Sequence, residues 1–129
     1  MKFALLVTAA PHQEQAWQAL EFGRAALAAG HTLPRVFFYG DGALHGNSLF
    51  LPPQDEPDVQ KGWQELAASH GVELVVCIAA AIKRGVMDAD TAEREEKAGS
   101  NLAPGFVISG LGQLAEIMLE AERMVSFPA

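Results

Sequence analysis

Val72-Glu73-Leu74-Val75-Val76-Cys77-Ile78-Ala79-Ala80-Ala81-Ile82-Lys83-Arg84-Gly85 reads as an apolar strand that runs out into a short helix. Val72 to Val76 is almost continuously apolar, as a strand covered on both faces should be. The alanines that follow favour helix, and Gly85 marks its end. Cys77 is the only cysteine of the chain and falls at the junction. In open α/β sheets, chemistry gathers at the carboxyl ends of strands. A thiol there faces the amide-rich start of a helix, which favours thiolate over thiol. The packing alternative is that Cys77 is a buried small hydrophobe, as cysteines commonly are.

The same alternation extends in both directions. Toward the N-terminus, Lys2 to Thr8 is apolar and β-capable, and Gln13 to Ala29 is a helix stopped by Gly30. Arg35-Val36-Phe37-Phe38-Tyr39 is β-branched and aromatic, a second strand. Gly40 to Asp58 is rich in Gly, Pro, Asn and Asp and is expected to be a long loop with a role in function or assembly. Val59 to His70 is a helix ended by Gly71. Beyond Gly85, Asp88 to Lys97 opens with cap-type residues and continues as a polar helix. Phe106 to Ser109 is a fourth strand, Gln113 to about Glu122 a helix, and Met124 to Phe127 a terminal strand. The βαβαβαβαβ order predicts a single-domain, doubly wound, flavodoxin-like α/β protein over residues 1–129. Its mostly parallel five-stranded sheet would carry helices on both faces.

The chain has 129 residues, half of them hydrophobic, with a formal net charge of −7. That length buries a real core without disulfides. A single cysteine permits no internal disulfide, and no apolar run spans a bilayer, so a cytoplasmic location is expected. The start Met1 to Ala10 has a faint signal-peptide look but reads better as a first strand. The acidic balance disfavours direct binding of nucleic acid.

Most remaining features have ordinary explanations. Gly110-Leu111-Gly112 is half a dinucleotide fingerprint in the wrong place, and tight turning with close strand–helix packing explains it better. His12, His31, His45 and His70 lack metal-ligand spacing, so no metal is expected. His12 follows the first strand and would share the sheet edge with Cys77. Lys83 and Arg84 are expected to cap the helix that follows Cys77. The acidic residues from Asp88 to Glu96 read as a solvated face.

Several stretches together resemble the TusD/DsrE sulfurtransferase family. The segment Cys77 to Val86 resembles its cysteine motif. Ser100-Asn101-Leu102, Gly105-Phe106 and Ser109-Gly110-Leu111-Gly112 are similar as well, as are Phe3-Ala4, Val7-Thr8, Val36 to Tyr39 and Arg123 to Phe127. The likeness covers essentially the whole chain. It implies a DsrE-like fold and a sulfur relay without a cofactor. In that family the cysteine matched by Cys77 accepts sulfane sulfur as a persulfide and passes it to an acceptor protein. The implied partners are TusB- and TusC-like subunits in a heterohexamer, a small TusA-like donor and a TusE-like acceptor. The implied product is 2-thiouridine at the tRNA wobble position, or, on the DsrE side of the family, sulfur oxidation. A solitary cysteine suits such a relay, because the sulfur leaves to another chain's thiol and needs no resolving cysteine. Two other readings stay open: a flavodoxin-like nucleotide or flavin module, and a non-catalytic subunit with Cys77 buried and inert.

Overall fold

The computed structural model describes residues 1–129. Its elements in chain order are β1 (Lys2–Val7), α1 (Glu14–Ala28), β2 (Thr32–Phe38), a 3-10 helix (Gly40–Gly46), α2 (Val59–His70), β3 (Glu73–Cys77), α3 (Ile78–Lys83), α4 (Ala89–Arg94), β4 (Phe106–Ser109), α5 (Leu111–Glu120) and β5 (Arg123–Phe127). The five strands form one sheet in the order β4-β3-β2-β1-β5, and every pairing is parallel. The chain steps outward from β1 to β4, then returns through α5 to place β5 on the far side of β1. Right-handed crossovers in opposite directions put their helices on opposite faces.

Side-chain alternation confirms the two faces. Phe3 meets Phe22 of α1, and Phe38 meets Trp63 of α2. In register with Val36 lie Leu5 and Leu74, and in register with Leu74 lies Phe106, so these share the α1/α2 face. Phe37, Val75 and Val107 alternate to the other face, where α5 seats Ile117. Arg35 belongs to that second face and donates to Gln113 of α5 at 3.0 Å.

Several boundaries differ from the sequence reading, and three of them have a clear physical reason or consequence. β2 begins at Thr32, ahead of Pro34, because the β1–β2 register shifts between Lys2 and Ala4 and an irregular ladder accepts a residue without an N–H. The expected loop from Gly40 contains a 3-10 helix over Gly40–Gly46. A side chain at Gly42 would stand 1.9 Å from the Val7 carbonyl oxygen, so only glycine lets this turn lie against β1. Finally, α5 starts at Leu111 with Gly110 as its N-cap. Gly110 and Gly112 have no neighbouring atoms within 4 Å of where a side chain would begin. The expected close packing at these glycines is therefore not present.

The helix ends follow local chemistry. Asp58 and Asp88 cap α2 and α4 by accepting from the Lys61 and Thr91 amides. The Thr91 hydrogen bonds hold the Asp88 carboxyl below its ordinary pKa. Gly71 ends α2 in the left-handed conformation, φ 67°.

Candidate functional site

Cys77 is the last residue of β3 and the N-cap of α3. The first amides of a helix have no partner within it, and no side chain caps α3. In register beside Cys77, at the end of β4, lies Ser109. The chain leaves β3 toward the 3-10 helix on the α1/α2 face and leaves β4 into α5 on the other. Adjacent strand ends whose connections diverge in this way open a crevice between them, the usual ligand position in open α/β sheets.

A shallow depression of about 250 Å3 occupies that position, lined by Tyr39, Gly40, Ala79, Ala80, Lys83, Arg84 and Leu111. These residues follow β2, β3 and β4 in turn, so the depression overlies three strand ends. Cys77 is 1% exposed and adds no surface of its own to it. The Lys83 side chain is exposed. Arg84 bonds Asp41 of the 3-10 helix at 2.9 Å and the Ala80 carbonyl at 3.1 Å. The expected capping role thus holds for Arg84, which also fastens α3 to the 3-10 helix.

The histidines lie elsewhere. His12 lines a separate groove of about 400 Å3 with Trp17, Phe50 and the prolines of residues 52–57. His31 pairs with the Met1 amine, and His70 with Ser69. His45 is fully buried, and its Nε2 donates to the Ala9 carbonyl at 3.1 Å. Its Nδ1 has no partner, and burial lowers its pKa to about 4. Nothing in the local sequence marks this imidazole as buried, because the residue sits in the segment read as a loop.

Asn101, part of the motif Ser100-Asn101-Leu102, is a clasp. It donates to the Gly85 carbonyl at 2.9 Å and to Asn47 at 3.2 Å, and accepts from the Met87 amide. These bonds pin the chain just after α3 to the turn that leaves the 3-10 helix.

The sequence profile of the DsrE/DsrF-like family matches residues 1–127. The chain belongs to the DsrE/DsrF-like family. It is 46% identical over 128 residues to the sulfurtransferase TusD of Serratia proteamaculans, covering 98% of this chain and 99% of that one. It is 48% identical over the same span to the sulfurtransferase TusD of Pectobacterium carotovorum, with the same coverage. Sulfurtransferase is the class of activity shared with these relatives. The crystal structure of the ychN protein from E. coli superposes with a TM-score of 0.78 over 98% of this chain and 99% of that one. At 21% identity this likeness speaks for the fold alone. No helix is long and apolar enough to cross a membrane.

Proposed function

We propose that the chain is a sulfur relay subunit in which Cys77 carries sulfane sulfur as a persulfide. The observation that carries this reading is the placement of the only cysteine at the strand end that borders the crevice, in a chain closely similar to curated sulfurtransferases. The Cys77 thiolate attacks the outer sulfur of a persulfide on a donor protein. The donor's S–S bond breaks, its electron pair leaves on the donor thiolate, and Cys77 becomes the persulfide. An acceptor thiolate then removes the sulfur by the same exchange. No oxidant or cofactor enters either step.

The partners are a TusA-like donor, a TusE-like acceptor and TusB- and TusC-like subunits in a hetero-oligomer. The sulfur goes to 2-thiouridine formation at the tRNA wobble position, in the cytoplasm; sulfur oxidation of the DsrE kind is the alternative destination. The net charge of −7 favours a protein that hands sulfur on without gripping RNA. The exposed apolar side chains of α5, and the loop after the 3-10 helix with Leu49 and Leu51 in solvent, supply surface for assembly. Because Cys77 is 1% exposed, donor docking must move the side chains that cover it.

Intact-protein mass spectrometry after incubation with a persulfide-loaded donor protein tests the reading. The wild type is expected to gain one sulfur atom, reversibly by a reducing thiol, and Cys77→Ser to gain none. No gain in the wild type with partner subunits present would sink it.

A further inference from the structure

Cys77 and Ser109 are in-register partners at the carboxyl ends of two parallel strands, so their side chains leave the same face of the sheet. They sit at the crevice between connections that diverge. Neighbouring strands run about 4.8 Å apart, which sets the separation of the two backbones. A sulfur–sulfur bond adds about 2 Å beyond Sγ. Loading therefore extends the side chain about 2 Å beyond the buried Cys77 sulfur, on the face that Ser109 shares. Ser109 is half-buried, polar, and the residue before the Gly110 cap of α5. Its neighbours in this row are apolar: Val107, two residues before it on β4, and Leu111, the first residue of α5, at the rim of the depression. A lone hydroxyl in that row serves packing poorly and serves a polarizable anion well.

Resting on the carrier reading, we propose that Ser109 is a sulfur-binding residue, its hydroxyl donating a hydrogen bond to the outer sulfur of the Cys77 persulfide. The transfer is Cys77–S⁻ plus donor–S–SH giving Cys77–S–SH plus donor–S⁻. One S–S bond forms as one breaks, and no net oxidation occurs. Ser109 neither gains nor loses a proton. It holds the outer sulfur where the acceptor thiolate reaches it and stabilises the charge there when the persulfide ionises, since hydrogen bonds to charged groups are the stronger kind.

The test loads wild type, Ser109→Ala, Ser109→Thr and Cys77→Ser from a persulfide-loaded donor protein with the partner subunits present, removes the donor, and follows the retained sulfur by intact mass. Ser109→Ala is expected to load but to lose its sulfur about tenfold faster than wild type, the size of one hydrogen bond to a charged group. Ser109→Thr, which keeps the hydroxyl, is expected to match wild type. Thermal melts check that all variants remain folded. Equal sulfur lifetimes in wild type and Ser109→Ala overturn the inference while leaving Cys77 as carrier. Equally short lifetimes in the alanine and threonine variants also overturn it, because the hydroxyl would then not matter. A wild type that takes up nothing, like Cys77→Ser, removes the carrier reading and the inference together.

Discussion

On the face covered by α1 and α2, Phe38 meets Trp63, His45 and Phe106 at ring-centroid distances of 4.9–5.7 Å, and Trp63 is wholly buried. On the opposite face α5 buries one side chain fully, Ile117, and leaves Leu111, Met118 and Leu119 at 51%, 57% and 88% exposure. Both faces of the sheet are covered, with Phe37 and Val75 buried on the second, but only there does the covering helix leave large apolar side chains of its own in solvent. The second face also carries Cys77 and Ser109 at its edge. The difference separates two jobs. One layer supplies cooperative stability, and the other keeps apolar surface beside the crevice that another protein can cover.

The largest expected effect lies on the filled face. Trp63→Ala should cost about 3–5 kcal/mol, because it empties a closed site between α2 and the sheet that cannot collapse. Trp63→Phe should cost far less. It keeps most of the ring and removes an indole N–H that is buried without a partner. Urea denaturation of both variants checks the pair. A mild Trp63→Ala would mean that this face is not the stability layer.

The next effect is acid sensitivity on the same face. His45 has a folded pKa of about 4 against 6.5 in the unfolded chain, because burial penalises its charged form. A carbonyl can only accept, so Nε2 carries the proton and the neutral ring satisfies Ala9. The unfolded chain thus binds a proton that the folded one refuses. Stability is full above about pH 6.5 and falls as pH drops from there toward 4, by roughly 3 kcal/mol in all. Denaturation midpoints measured across this range should show the slope in wild type and lack it in His45→Gln. Equal slopes would place the acid sensitivity elsewhere.

How much of this was legible from sequence varies with the range of the interactions involved. Helix and strand types were readable wherever periodicity and caps agreed, as in α2 between Asp58 and Gly71. The 3-10 helix was not, because its course depends on Gly42 lying against the Val7 carbonyl, a contact no local pattern encodes. Gly110 and Gly112 misled in the opposite way: a motif suggested close packing that the fold does not make. Cys77 could be placed at a strand end from its own neighbours alone. Ser109 could not be seen beside it, since that needs the β3–β4 register, and register is a tertiary fact. The burial of Cys77, by contrast, was one of the two readings its residue type allowed, and it is 1% exposed.

The smallest expected effect completes the contrast, and its smallness is the point. Met118→Ser and Leu119→Ser lie on α5, where neither side chain has a covering partner within the chain. Removing apolar atoms already in water forfeits little burial, so each should change the stability of the isolated subunit by less than about 0.5 kcal/mol. If this face is the assembly surface, the same two substitutions should lower binding to TusB- and TusC-like subunits in sedimentation or titration calorimetry. They should leave sulfur uptake by Cys77 intact. A stability loss on the scale of Trp63→Ala would instead show that α5 packs more tightly than its exposure indicates, and the division of labour between the two faces would collapse. Unchanged stability with unchanged binding would keep the division but move the partner to the surface around Leu49 and Leu51, where large apolar side chains stand furthest in solvent after Leu119.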